Sequence, residues 1–140
     1  MSTTTETFTS TTPSTDGRIT AARVAIATGV ALVLNLVVLW IGSASGATLE
    51  VEAPEPINAL TVAISTVLPM ALGAYVVARI TRRRPGFQRF AAWAGAVAAL
   101  LTAAMPFVAS SDVKTATTLA CMHVVVGLAW FAAARPTTAR

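Results

Sequence analysis

Four long apolar segments dominate the hydropathy pattern of this chain. They cover residues 21–42, 57–78, 90–109 and 117–134, and short polar stretches separate them. A helix needs about 20 mostly apolar residues to cross the hydrocarbon core of a membrane. Each segment has roughly this length. The pattern therefore predicts an all-α integral membrane protein built as a four-helix bundle.

The composition agrees with a membrane protein. Of the 140 residues, 55% are apolar and 11% are charged, whereas soluble domains carry about 25% charged residues. The mean hydropathy is +0.70 and the pI is about 10.7. A basic pI can indicate nucleic-acid binding, but here the basic residues lie at the ends of apolar segments and do not form one polar face. We therefore expect no nucleic-acid partner.

The basic residues predict how the helices are oriented. The loop at residues 79–89 carries five of the nine arginines and no acidic residue. Short basic loops of this kind remain on the cytoplasmic side of a membrane. The other arginines lie near the two chain ends, and Lys114 lies on the opposite side. The sequence thus predicts a multi-pass protein of the cell (cytoplasmic) membrane, with both termini cytoplasmic.

The first and last residues differ in character from the spans. Residues 1–17 are rich in Ser and Thr, and a stretch with so little to bury predicts a disordered cytoplasmic tail. The membrane domain is expected at residues 18–136, and residues 137–140 form a second, short tail. A cleaved signal peptide is the alternative for the first segment. It is disfavoured because such peptides have apolar regions of about 7–15 residues.

The densest basic run is Arg82, Arg83 and Arg84. We interpret it first as a topology signal. These side chains are also candidates for contact with anionic lipid headgroups, which attract each nearby basic residue by about 1 kcal/mol. Membrane lipids are accordingly expected partners.

Few polar side chains lie inside the spans. No Asp, Glu, Lys or Arg occurs away from the span ends, and proton-coupled pumps and transporters usually keep such a residue in the membrane. The remaining candidates lie roughly 10 Å below the outer ends of their spans, at a rise of about 1.5 Å per residue. They are Asn35, Ser65, Thr102 and His123. Together they form a candidate polar layer that could bind a ligand.

His123 is the most distinctive member of this layer. Ala116, Ala120 and Gly127 surround it at helical spacing, so we expect its imidazole to face the bundle. It could act as a link between helices, bonded to Asn35 or to a backbone carbonyl, or it could bind a ligand, a proton or a metal. One histidine without partner ligands or an acid indicates no catalytic set, metal centre or cofactor site. We therefore expect a non-enzymatic protein.

Small residues in the third span define a packing face. Ala91, Gly95, Ala99 and Ala103 recur every four residues, and such a stripe lets another helix approach closely. Gly127 in the fourth span is a further candidate for helix packing. The leading hypothesis is a structural or interaction protein that associates with itself or with other membrane proteins through this stripe. The alternative is small-molecule or lipid binding or transport through the polar layer around His123 and Asn35.

Two local patterns resemble a known family. The third span closes on Ala104-Met105-Pro106, and after a short turn residues 118–126 contain the pair Met122-His123. This arrangement resembles an actinobacterial family of small four-helix membrane proteins of unknown function, over about residues 20–136. The resemblance implies the same four-span fold and draws attention to Pro106, Met122 and His123. It implies no activity.

Overall fold

The computed structural model describes residues 18–51 and 56–137. The predicted tail at residues 1–17, and residues 138–140 of the second tail, lie outside this described part. Within the described ranges the chain forms helices and no strand. In chain order the helices are α1 (Ala21–Ala44), α2 (Ala59–Thr81), α3 (Phe87–Thr102), α4 (Pro106–Ala109) and α5 (Val113–Ala134).

Four stretches of the described chain are long and apolar enough to cross a membrane. They are α1, α2, the stretch Phe87–Ala109 that contains α3 and α4, and α5. Their mean hydropathies lie between 1.7 and 2.5. The predicted all-α membrane bundle with four spans is confirmed.

The four spans pack in a ring. In this ring α1 contacts α2 and α5, and α3 contacts α5 extensively and α2 much less. The chain crosses the bundle in alternating directions, so each span is antiparallel to both of its neighbours in the ring. We call the end with the α2–α3 loop the arginine end, and the end where α5 begins the Asp112 end. The side between α2 and α3 is the least closed part of the ring.

Side-chain caps set where the helices begin. Asn58 accepts hydrogen bonds from the backbone of Leu60 and Thr61, so α2 starts two residues later than the predicted 57. Asp112 accepts from the backbone N–H groups of Lys114 and Thr115, so α5 starts at residue 113 and not at 117. Caps of this kind satisfy N–H groups that have no partner within the helix.

The third span is interrupted, whereas the sequence pattern predicted one continuous helix. Helix α3 ends at Thr102, and Pro106 opens the short helix α4. Proline has no N–H to donate to the carbonyl four residues earlier. Between the two helices, the backbone N–H groups of Ala104 and Met105 instead bond carbonyls only three residues back.

Trp130 packs between the helices in the arginine half of the bundle. It is 8% exposed, and its Nε1 donates to the Ala91 carbonyl across the α3–α5 contact at 2.9 Å. Two glycines make room for its ring. A Cβ on Gly73 would lie 2.9 Å from the ring, and one on Gly95 would overlap Nε1. The absence of side chains at these positions lets α2 and α3 close on the indole.

The small-residue stripe of α3 is used within the chain. Gly95 is covered by Trp130, and a Cβ on Gly127 would lie 2.8 Å from the Cβ of Ala99. Ala103, the last member of the stripe, follows the end of α3 and is half-buried. The stripe therefore packs α3 against α5. Association with another chain through this stripe stays a prediction, and within the chain α5 already packs against it.

Arg23 joins the start of α1 to the end of α5. Its Nη2 donates to the carbonyls of Ala132 at 2.8 Å and Arg135 at 3.1 Å. The last carbonyls of a helix have no helical donors, and its C-terminus favours positive charge. From the sequence, Arg23 is one of the arginines near the chain ends that predict the orientation of the helices. In the structure it also closes the bundle at the arginine end.

Asp112 organises the opposite end. Its Oδ2 accepts from the Thr115 hydroxyl at 2.7 Å and from the Thr48 N–H at 3.0 Å. Thr115 Oγ1 in turn accepts from the N–H of Leu49, which is held in the left-handed region at φ 57°. The hydrogen bonds from Thr115 and Thr48 hold the pKa of the Asp112 carboxyl well below its usual range. These contacts fix the α1–α2 loop onto the start of α5.

Candidate functional site

A cavity of about 460 Å³ lies between α2, α3 and α5, from the middle of the bundle towards the Asp112 end. This volume is within the range of about 300–1,000 Å³ found for ligand pockets. We call it the His123 cavity. Its lining includes Asn35, Ser65, Thr102 and His123. The structure thus brings all four residues of the predicted polar layer to one place, although depth along the spans had left their rotation undetermined.

Asn35 is a deeply buried polar group of the cavity. It is 2% exposed, and its Nδ2 donates to Thr66 Oγ1 at 2.9 Å. This bond joins α1 to α2. Of the two partners expected for His123, Asn35 and a backbone carbonyl, the structure uses the carbonyl. Asn35 Oδ1 is also buried and has no hydrogen-bond partner among the described residues. A buried acceptor left unsatisfied costs about 1–3 kcal/mol, which a donor placed beside it would remove.

His123 is half-buried and bonds within its own helix. Its Nδ1 lies 2.8 Å from the Leu119 carbonyl oxygen. A carbonyl only accepts, so Nδ1 carries the hydrogen, and in the neutral ring Nε2 is an acceptor. The described residues provide no hydrogen bond to Nε2. His123 therefore does not link two helices, and it retains one acceptor atom for another partner.

The hydroxyl groups of Ser65 and Thr102 are bonded to their own helices. Ser65 donates to the Val62 carbonyl at 3.2 Å. Thr102 donates to the carbonyls of Ala98 and Ala99 at 2.9 and 3.1 Å. Their hydrogens are used in this way, and each oxygen keeps acceptor capacity.

Pro69, which also lines the cavity, adds a further acceptor. Proline inside α2 has no N–H for the carbonyl of Ser65, four residues earlier. That carbonyl therefore lacks its helical donor. Ser65 and Pro69 both lie at the cavity wall.

The rest of the cavity wall is mainly apolar. Leu119, Met122 and Val126 form its α5 side, and no Asp, Glu, Lys or Arg lies in the lining. Among the described residues there is also no cluster of side chains that could hold a metal ion. The lining has no acid that could work with His123 as an acid–base pair. The arrangement suits noncovalent binding of an uncharged, largely apolar molecule.

Thr66 is the member of the site that sequence reasoning missed. It is 1% exposed, and it supplies the only side-chain hydrogen bond of Asn35 within the described chain. The sequence predicted Ser65 instead, because Ser65 lies at the same depth in the membrane as the other residues of the polar layer. The spacing of Val62, Thr66 and Met70, which are all buried, shows that this row of α2 faces inward. The row has period four in the sequence, but in an apolar span nothing distinguished it from the lipid-facing rows.

The basic residues lie apart from the cavity. Arg82, Arg83 and Arg84 are exposed in the loop at the arginine end. They do not line the cavity. Their predicted role in contacting anionic lipid headgroups concerns a separate surface.

Comparison with known proteins places the chain in a family. The profile of a protein family of unknown function, DUF6069, matches residues 15–140. The chain belongs to DUF6069. For this DUF6069 chain the predicted resemblance to a family of unknown function is confirmed, while the actinobacterial origin and the Met122-His123 signature stay predictions. No curated protein and no solved structure matches the DUF6069 chain.

Proposed function

We propose that this DUF6069 protein is a non-enzymatic membrane protein that binds a small amphiphilic molecule or lipid in the His123 cavity. The observation that carries the proposal is the orphaned Oδ1 of buried Asn35, in a residue that lines an apolar cavity together with His123. A buried acceptor without a partner costs stability in a site that only packs helices. In a binding site, the bound ligand supplies the hydrogen-bond donor that Asn35 Oδ1 lacks.

The size and character of the cavity support binding. Ligand pockets are mostly apolar with a few polar groups that orient the ligand. The apolar wall of Leu119, Met122 and Val126 would take the ligand's hydrocarbon part. The weak contact between α2 and α3 leaves a side from which a molecule dissolved in the membrane can enter.

The charge distribution supports a location in the cell membrane with the arginine end in the cytoplasm. The arginine end carries Arg82, Arg83 and Arg84, and the opposite end carries Glu50 and Asp112. Under the positive-inside rule both termini are then cytoplasmic. The cavity lies in the outer half of the membrane. The exposed arginines would contact anionic lipid headgroups.

Native mass spectrometry of the protein released in mild detergent tests the proposal. We expect a bound small molecule or lipid on the unmodified chain that is reduced or lost in His123→Ala. Cys121→Ala is the matched control, because Cys121 is on the same helix and is exposed. A species without any bound molecule, identical in all three proteins, would contradict the proposal.

A second candidate function is association with another copy or another membrane protein. The observation that favours it is a groove of about 610 Å³ between α1 and α2, lined by residues that include Ala25, Gly29 and Ala71. A Cβ added to Gly29 would meet nothing within 4 Å, so a partner helix could approach closely there. The Gly29→Leu variant should then reduce oligomer size in light scattering. An unchanged size would remove this candidate.

A further inference from the structure

We infer that the ligand of the His123 cavity is an uncharged amphiphile whose headgroup carries a hydroxyl. This inference rests on the proposed function and adds the chemical class of the ligand. It follows from which hydrogen-bonding atoms of the site are already used and which are not.

Most of the polar groups left unused in the cavity wall are acceptors. His123 Nε2 accepts because Nδ1 holds the ring hydrogen against the Leu119 carbonyl. Asn35 Oδ1 has no donor. The Ser65 carbonyl lacks a helical donor because Pro69 has no N–H. A ligand that matches these groups must bring a donor.

The wall has little to donate in return. The hydroxyls of Ser65 and Thr102 point their hydrogens at backbone carbonyls, and Asn35 Nδ2 donates to Thr66. A ligand that only accepts hydrogen bonds, such as an ester, an ether or a ketone, would leave the same wall atoms unsatisfied. At His123 Nε2 and Asn35 Oδ1, the ligand's acceptor would face another acceptor, and no hydrogen bond would form there.

Charge excludes the ionised headgroups. No Lys, Arg, Asp or Glu lines the cavity, so an anion or a cation entering it would leave water without a compensating partner. The nearest cation along α5 is Lys114, and its Nζ donates to the Ser45 carbonyl at 2.8 Å. The ligand's headgroup is therefore neutral.

A hydroxyl fits better than an N–H group. Thr66 Oγ1 accepts from Asn35 Nδ2, so its own hydrogen remains available to an acceptor. An O–H group both donates and accepts. It can therefore donate to His123 Nε2 or Asn35 Oδ1 and accept from the Thr66 hydroxyl, whereas an N–H group only donates.

Three ligands with one chain test the headgroup: decanol, methyl decanoate and decyl sulfate. We would titrate each into the unmodified protein in mild detergent and follow binding by native mass spectrometry. Decanol should bind about fivefold more tightly than methyl decanoate, which is the effect expected for one hydrogen bond. Decyl sulfate should bind more weakly than both.

Variants then locate the hydrogen bond. His123→Leu should weaken decanol binding about fivefold and leave methyl decanoate unchanged, so that the preference disappears. Cys121→Leu, at an exposed position of the same helix, should leave both affinities unchanged. A preference for decanol that survives in His123→Leu would overturn the assignment to this residue.

The outcomes separate the inference from the function on which it rests. If the unmodified protein binds methyl decanoate or decyl sulfate as tightly as decanol, the hydroxyl inference is wrong and the binding function stands. If none of the three binds, the proposed function itself fails. This ligand comparison uses only the unmodified chain, so it does not depend on whether any variant folds.

Discussion

The two halves of the bundle use the same three helices in opposite ways. In the arginine half, the Trp130 ring packs between α2, α3 and α5 where Gly73 and Gly95 let the backbones approach it, and it leaves a smaller space of about 270 Å³ beside it. In the Asp112 half, α2, α3 and α5 enclose the His123 cavity. Lipid is as apolar as the helices, so hydrophobicity alone does not bring them together. The difference shows that side-chain fit decides where this bundle closes.

The largest effect should come from opening the closed half. Trp130→Ala removes a buried ring and its bond to the Ala91 carbonyl, and we expect a loss of about 3 kcal/mol in unfolding free energy. This is the lower part of the usual range, because the unfolded spans remain in an apolar solvent and only packing and the hydrogen bond are lost. Unfolding in mixed micelles measures it. A loss below about 1 kcal/mol would mean that Trp130 does not hold this half.

A slightly smaller effect should follow from overfilling the closed half. The Gly95→Leu side chain would overlap Trp130 and separate α3 from α5, at a cost of about 1–3 kcal/mol. Gly29→Leu is the matched control, since nothing lies within 4 Å of that position. It should unfold like the unmodified chain. Equal destabilisation by the two leucines would show that the Gly95 contact is not the cause.

Acid should weaken the cavity half through Asp112. The hydrogen bonds from Thr115 and Thr48 lower the pKa of its carboxyl in the folded state. The stabilisation is then complete above the ordinary pKa of about 4 and is lost as the pH falls from there towards the lowered value. Thermal unfolding from neutral pH to pH about 3 should show this decline. In Asp112→Asn, the loss of thermal stability on acidification should be smaller. If that loss is unchanged, other carboxyl groups cause it.

The smallest effect on stability should come from filling the cavity. Ser65→Leu places the same new side chain as Gly95→Leu, but into open space lined by His123 and Thr102. Only the bond from Ser65 to the Val62 carbonyl is lost, and leucine favours a helix more than serine. We expect unfolding free energy within about 0.5 kcal/mol of the unmodified chain, with ligand binding reduced. A loss as large as that of Gly95→Leu would remove the contrast between the halves.

The spans could be predicted from the sequence because each is a long apolar segment, and that signal survives any rotation of the helix. The rotation itself could not be predicted. Lipid-facing and buried rows are equally apolar, so Ser65 and Thr66 were indistinguishable although only Thr66 is buried. For the same reason the stripe around Gly95 could not be assigned to a partner inside or outside the chain.

The sequence predicted which residues form the polar layer, but it could not predict the hydrogen bonds between them. Polar side chains are rare in these spans, so Asn35 and His123 stood out by composition, and their similar depth placed them in one layer. Their hydrogen-bond partners depend on angles about the helix axes. Asn35 bonds Thr66 on α2, and His123 bonds a carbonyl of its own helix.

The contact of Arg23 with the end of α5 has a consequence for synthesis. Its guanidinium and the Ala132 carbonyl are 109 residues apart in the chain. At ribosomal speeds of about 5–20 residues per second, roughly ten seconds pass between their synthesis. During that interval α1 is already made while the charged group near its start has no α5 carbonyl to bond. We predict that the ring closes last at this seam, which crosslinking between residues 23 and 132 in arrested nascent chains would reveal. Before α5 is complete, the nascent chain holds the earlier helices in an arrangement that is not yet closed between α1 and α5.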